Sequence, residues 1–153
     1  MSYIPDKIDR KIMHLLQKNA RISLKETALK LFMSSPAVSA RIARLEEKGI
    51  LRGYHAEVAP SDLGYPIKAF VNLEVAPRQK DEFIDYIKAA SNVVQCDYVT
   101  GEYSMLLECY FPSTEELEHF VYSIQHFGRT KTMISMSTPV AYRPVPVLPE
   151  DPF

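Results

Sequence analysis

The hydrophobic pattern of the first fifty residues predicts three helices. The first begins near Asp6 and places on one face Ile8, Ile12, Leu15 and Leu16. A capping-box pattern at Ser23 precedes the second, whose apolar face contains Leu24, Ala28 and Leu31. The third is predicted from about Pro36 to Lys48, with Ser35 as its cap, Gly49 as its stop and Val38, Ile42 and Leu45 on its packed face.

The third predicted helix has a second face of small and basic residues. Two short helices joined by a turn of three or four residues are typical of a helix-turn-helix, in which the second helix reads the major groove of DNA. The predicted DNA contacts are Ser35, Ala37, Ser39, Ala40, Arg41, Arg44 and Lys48. The alternative is a three-helix bundle with an ordinary solvated face.

The rest of the chain predicts a repeated βαβ unit. Residues 50–58 alternate weakly and are interpreted as a strand, followed by a hinge that contains Pro60, Gly64 and Pro66. Strands are then predicted at 67–75, 93–100, 105–111 and 131–137, with helices before the second and the fourth. The order βαββαβ is the ferredoxin-like pattern, so the fold class is α+β.

This order divides the chain into a helix-turn-helix domain (1–53), a strand and hinge linker (54–66), a βαββαβ domain (67–143) and a proline-rich tail (144–153). A single sheet with both helices on one side leaves its other face uncovered. We expect a second subunit to cover it, and the predicted outward residues are Phe70, Asn72, Leu73, Leu106 and Tyr110.

Charge separates the two parts of the chain more clearly than the overall net charge of −1 indicates. Residues 1–55 contain eleven Lys and Arg against five Asp and Glu, a net charge of +6, which leaves −7 for the remainder. This asymmetry favours a polyanion, double-stranded DNA, as the partner of the first part. Chance clustering of solvated charges is the alternative.

Other classes of protein find little support in the sequence. No run of 18 apolar residues appears, the charged amino terminus does not fit a secretory signal, and Cys96 and Cys109 lack CxxC spacing, so we expect a cytoplasmic protein without a membrane segment. Glu115, His119 and His126 could share a helix face and hold a metal, but a solvated face explains them as well. With no phosphate loop or catalytic motif, we expect no enzyme activity, no cofactor and no metal.

Four sequence segments resemble the Lrp/AsnC family of transcriptional regulators. They are residues 8–12 (IDRKI) with 19–23 (NARIS), residues 41–54 (RIARLEEKGILRGY) and residues 99–103 (VTGEY). The resemblance implies a winged helix-turn-helix, a βαββαβ domain that dimerises through its sheet, assembly to tetramers or octamers, and an amino acid or similar effector. The effector residues that it implies are Gly101, Glu102, Tyr103, Ser104 and Thr132.

Two positions depart from the family pattern. Phe32 stands where glycine is usual in the turn, and we expect the backbone to avoid the left-handed conformation there and the ring to pack inward. Ser104 stands where an aspartate is common, which removes a carboxylate that could hold an effector's ammonium group.

The sequence thus predicts a sequence-specific, DNA-binding transcriptional regulator whose oligomeric second domain senses an amino acid or related metabolite. Two alternatives stay open. One is an effector-independent architectural DNA-binding protein of the same fold, and the other is a small-molecule-binding module that acts through protein contacts.

Overall fold

The computed structural model describes residues 3–147, which form two compact units. The first contains residues up to 57 and those from 141 onward, and the second contains residues 58–140. The unit boundary falls inside the segment predicted as a linker. Part of the tail belongs to the first unit, where Gln17 Nε2 donates to the carbonyl of Val145 at 2.9 Å, and the rest of it, residues 148–153, lies outside the described range.

The first unit is built from three helices, α1 (Lys7–Lys18), α2 (Leu24–Leu31) and α3 (Ser35–Glu47). Their apolar faces meet in a small core of buried side chains from Ile12, Leu16, Ala28, Val38 and Leu45. The capping box is at α1, where Asp6 and Asp9 exchange side-chain to backbone hydrogen bonds. At α2 the Ser23 hydroxyl accepts from the Glu26 N–H at 3.1 Å, while the Glu26 carboxylate pairs with Lys30 at 3.6 Å.

The strand predicted at residues 50–58 is wrong. The backbone of this segment is irregular, and residues 52–58 are exposed. A strand is stable only where a neighbour accepts and donates its ladder hydrogen bonds, and no described segment of this chain pairs with it. Tyr54 is fixed instead by its side chain, since its hydroxyl donates to Glu46 Oε1 at 2.9 Å. Partial desolvation of the hydroxyl and this carboxylate raise the pKa of Tyr54 to about 12.

The second unit has the predicted βαββαβ order: β1 (Ile67–Val75), α4 (Lys80–Ala89), β2 (Val93–Tyr98), β3 (Met105–Phe111), α5 (Thr114–Ile124) and β4 (Gly128–Ile134). The sheet order is β2-β3-β1-β4, and every pairing is antiparallel. The last strand begins and ends three residues earlier than predicted, because its register with β1 runs from Gly128 opposite Val75 to Ile134 opposite Ala69.

The two helices cover one face of this sheet. Inward residues of β1 and β3 alternate with outward ones, and the buried core includes Val71, Leu73, Leu107, Phe83 and Phe127. Leu73 is therefore not an outward residue as predicted; its side chain is fully buried. The prediction placed Asn72 and Leu73, two consecutive strand residues, on the same face, which the alternation of a regular strand forbids.

Candidate nucleic-acid interface and effector loop

Helix α3 starts at a serine cap and ends before a glycine. The Ser34 hydroxyl accepts from the Ala37 N–H at 3.4 Å, so the cap is one residue earlier than the predicted Ser35. Pro36 stands in the first turn, where its missing N–H costs no hydrogen bond. Gly49 follows the helix with φ +65°, a left-handed conformation that glycine adopts without strain.

The exposed face of α3 consists mostly of small side chains. Its exposed residues are Pro36, Ser39, Ala40, Ala43, Glu46, Glu47 and Lys48. Of the predicted DNA contacts, Ser39, Ala40 and Lys48 lie on this face, whereas Ser35 and Ala37 are partly buried. Pro36 and Ala43, which the prediction did not include, lie on the same exposed face at helical spacing from Ser39 and Ala40. A face of small residues lets a helix backbone approach another surface closely.

Arg41 points toward α1 rather than into solvent. Its Nη1 donates to Asp6 Oδ2 at 2.6 Å and to Asp9 Oδ1 at 2.8 Å. The Asp9 side chain is fully buried and also accepts from the Tyr3 hydroxyl. Burial opposes the ionisation of Asp9, but the hydrogen bonds from Tyr3 and Arg41 outweigh it and hold the Asp9 pKa below its usual value. The structure therefore directs Arg41 to α1 rather than outward from α3, and its predicted DNA contact stays a prediction.

Arg44 joins the same cluster less tightly. Its Nη2 lies 3.6 Å from Asp9 Oδ1, and its guanidinium stacks 4.7 Å from the centre of the Tyr3 ring. The Arg44 Nε is buried and makes no hydrogen bond within the described residues. The side chain is 42% exposed, so part of the guanidinium still faces solvent. This cluster, the α1–α3 brace, consists of Tyr3, Asp6, Asp9, Arg41 and Arg44.

The turn between α2 and α3 contradicts both expectations for Phe32. Its backbone is left-handed (φ 55°, ψ 43°), and its side chain is 98% exposed. Backbone hydrogen bonds impose this turn, since the N–H of Phe32 donates to Leu29 at 3.3 Å and the N–H of Met33 donates to Ala28 at 2.9 Å. The apolar residue that packs against the helical core is the next one, Met33.

The loop predicted to hold an effector connects β2 to β3. Its Glu102 carboxylate accepts from Arg129 Nη2 at 2.8 Å, and the Arg129 guanidinium stacks on Tyr103 at 5.0 Å. Arg129 also reaches Glu74 at 3.3 Å. The backbone N–H groups of residues 101–103 donate to no other described residue. The loop and Arg129 of β4 therefore bring together a carboxylate, a guanidinium, an aromatic ring and unused amide donors.

Two of the predicted effector residues are placed differently. The Ser104 hydroxyl accepts from the Val75 N–H at 3.0 Å and donates to the Leu73 carbonyl at 3.3 Å, so it fastens the loop to β1. Thr132 lies three residues after Arg129 on β4, an odd separation that places these two side chains on opposite faces of the sheet. The structure brings Glu102 and Tyr103 to Arg129, a residue that the sequence analysis missed, and leaves Thr132 apart.

Residues 3–147 contain neither a cluster of metal ligands nor a helix that could span a membrane. No cluster of three or more His, Cys, Asp or Glu side chains there could ligate a metal. His126 directs Nδ1 at the Ser123 carbonyl, 2.7 Å away, which accounts for that ring. Burial raises the pKa of the Cys109 thiol to about 12. None of the helices in this range is long and apolar enough to cross a membrane.

The fold and these sites define a class, namely a helix-turn-helix regulator with a separate ferredoxin-like domain. Family models assign each half independently. The winged helix-turn-helix DNA-binding model matches residues 5–52, and the Lrp/AsnC ligand binding domain model matches residues 68–145. The chain belongs to the Lrp/AsnC family of transcriptional regulators.

Relatives and solved structures agree with this assignment. The chain is 34% identical to the HTH-type transcriptional regulator LrpA of Bacillus subtilis over 84% of this chain and 96% of that protein. The structure of Bacillus subtilis LrpC superposes with a TM-score of 0.85 at 28% identity, covering 92% of this chain and 100% of that one. A Neisseria meningitidis transcriptional regulator in complex with L-Met gives a TM-score of 0.83 at 25% identity, with 92% and 94% of the chains covered.

Proposed function

We propose that this regulator binds operator DNA by inserting the exposed face of α3 into the major groove. The observation that carries the proposal is the shape of that face, whose small side chains allow close approach to base edges. The proposed contacts are Ser39, Ala40 and Lys48 on that face, together with the partly buried Ser35 and Ala37 and the partly exposed Arg44. The net charge of +6 in the first 55 residues supplies the attraction to phosphates.

In this proposal Arg41 is a positioning residue. It holds α3 against α1 through Asp6 and Asp9, so the angle of the recognition helix is fixed before DNA arrives. Such preorganisation lowers the ordering cost of binding. Arg44, which is partly exposed beside it, keeps the role of a phosphate or guanine contact.

The open face of the sheet is the proposed dimer interface. Lys68 and Glu108 form an ion pair of 2.7 Å there, beside outward apolar residues such as Phe70, Leu106 and Tyr110. Two-fold pairing would present two α3 helices to two half-sites, which multiplies the weak affinity of one small domain. Further assembly to a tetramer or octamer is part of the proposal.

The proposed effector is an amino acid or a related metabolite, and its binding element is the loop at Gly101, Glu102 and Tyr103. Unused amide donors of the loop suit a carboxylate, and the Glu102 carboxylate suits an ammonium group in place of the absent aspartate. The ligand-binding family model and the L-Met complex of the Neisseria regulator support this chemistry. A non-enzymatic role in the cytoplasm completes the proposal.

Filter binding of the full chain to duplex DNA at several salt concentrations tests the DNA-binding role. Affinity is expected to fall steeply with salt, because bound phosphates release counterions. Weak, salt-independent retention would contradict it and favour a module that acts through protein contacts.

The same measurement with and without millimolar amino acids, together with thermal unfolding, tests effector sensing. Thermal stabilisation by an amino acid that is lost in Glu102→Gln supports sensing, and no response to any amino acid favours the architectural alternative.

A further inference from the structure

Phe32 combines two disfavoured features in one residue. Among the described residues 3–147 it is the one non-glycine residue with positive φ, and its ring is 98% exposed. A Cβ atom crowds the backbone in the left-handed region, and an exposed phenyl ring gains nothing from burial. Glycine at this position would remove both costs without changing the turn. A strained and exposed aromatic residue therefore calls for an interaction outside this chain.

The position of Phe32 identifies the surface involved. It lies two residues before Ser34, the cap of the recognition helix. A shallow depression of about 500 Å³ joins it to Lys25, Leu29, Ser34 and Ser35. An apolar ring, a positive charge and two hydroxyl groups thus lie together at the edge of the proposed groove-facing surface.

We propose that Phe32 is a specificity-determining DNA contact, whose ring packs against thymine methyl groups while Lys25 lies beside the phosphate backbone. Thymine is the base that presents a methyl group in the major groove, and phenylalanine is among the side chains that pack on it. The inference rests on the proposed placement of α3 in the groove. It adds a direct apolar reading of A·T pairs within each half-site.

A protein partner fits this surface less well. Phe32 and Leu29 are its exposed apolar side chains, and together they offer on the order of 300 Å². A specific protein interface buries about 1,000 Å² or more over both partners, which is about 500 Å² on each. The apolar area is instead adequate for one or two base methyl groups, and the neighbouring lysine matches a phosphate rather than an apolar rim.

Three variants of the full chain distinguish the effect of the phenyl ring on DNA binding from the effect of backbone strain at residue 32. Phe32→Gly removes both, Phe32→Ala removes the ring but keeps a Cβ atom in the left-handed turn, and Phe32→Tyr keeps the ring. The probe is a duplex selected from a random-sequence library by the wild-type protein, together with a version in which uracil replaces thymine. Affinity is measured by filter binding, and the midpoint of thermal unfolding is recorded for each variant.

We expect Phe32→Gly and Phe32→Ala to lose about tenfold in affinity for the thymine duplex, and Phe32→Tyr to retain it. Phe32→Gly alone is expected to raise the unfolding midpoint, by about 3 °C or more. Replacing thymine with uracil is expected to lower the affinity of the wild type. It is expected to leave the affinities of the Gly and Ala variants unchanged, because these variants already lack the ring that would contact the methyl group.

The outcomes that overturn the inference differ from those that overturn the proposed function. If the wild type retains no duplex, α3 does not read DNA. If the wild type binds but Phe32→Ala binds equally tightly, the ring does not touch DNA, and loss of regulation without loss of affinity would assign it to a protein partner. A loss of affinity in Phe32→Gly but not in Phe32→Ala would assign the effect to flexibility of the turn. If Phe32→Ala loses equal affinity for the thymine and uracil duplexes, the methyl contact is refuted.

Discussion

At the scale of single residues, a buried carboxylate decides what Arg41 does. Asp9 is fully removed from solvent near the start of α1, and such a charge is tolerated only with partners that satisfy its oxygens. Tyr3 and Arg41 supply them. The sequence pattern placed Arg41 on the face of α3 opposite Val38, but a long flexible side chain follows the nearest strong charge rather than the direction of its Cβ atom.

Replacing Arg41 with alanine is expected to destabilise the first unit by about 3 kcal/mol, because Asp9 would remain buried with its main cationic partner removed. Chemical denaturation of the full chain, followed by circular dichroism, measures the change. Lys48→Ala, at the carboxyl-terminal cap of α3, is the matched control, since Lys48 is exposed and its Nζ lies 3.4 Å from Oε1 of the exposed Glu47. An Arg41→Ala protein as stable as Lys48→Ala would contradict the α1–α3 brace.

The same brace predicts a pH dependence. Because the folded protein holds the pKa of Asp9 and Asp6 below the unfolded value of about 4, the brace stabilises the fold fully above that value. We expect the free energy of unfolding to fall as the pH drops below about 4 and through the lower folded pKa. Asp9→Asn is expected to flatten this dependence while lowering stability at neutral pH.

At the scale of elements, hydrophobic periodicity located the helices and the four sheet strands, while their ends depended on neighbours. The cap of α3 moved from Ser35 to Ser34 because the helix includes one more residue at its start. The bounds of β4 moved because β1 sets its register. Residues 50–58 failed as a strand for the same reason, since alternation without a pairing neighbour leaves ladder groups unpaired.

Gly128 illustrates how tightly β4 approaches β1. A Cβ atom built there would lie 1.8 Å from the carbonyl oxygen of Glu74, which is backbone and cannot move aside. Gly128→Ala is therefore expected to cost about 2 kcal/mol or more of stability and to loosen the start of β4, measurable by thermal unfolding and hydrogen exchange. Gly101→Ala is the control: it has positive φ but meets no atom within 4 Å, so its cost is limited to backbone strain of about 1 kcal/mol.

At the scale of the whole molecule, the basic helical unit and the acidic sheet unit have separate cores. In the proposed function the uncovered sheet face connects the two units, because dimerisation of one unit would pair the other on DNA. Leu106→Arg places a charge on that face beside Asn72 and Asp97. We expect this full-length variant to sediment as a smaller species than the wild type and to lose operator affinity.

Tyr122→Arg provides the control for the sheet substitution. Tyr122 is 79% exposed on α5, on the helical side of the sheet, so the same charge there is expected to leave the dimer intact. The Leu106→Arg protein should remain folded, because the substituted residue faces away from the core. Unchanged sedimentation of this variant would refute the assignment of the sheet face to dimerisation.

The sequence by itself determined the order of the five helices and the four sheet strands, the helix-turn-helix pattern and the charge division, because periodicity, capping residues and composition are local properties. Tertiary structure decided which partner each side chain found. Arg41 donates a hydrogen bond to Asp9, Ser104 binds the backbone of β1, and backbone hydrogen bonds of the turn keep Phe32 exposed. These outcomes depend on distances between residues far apart in the chain or on backbone angles, and neither quantity is written in a one-dimensional pattern.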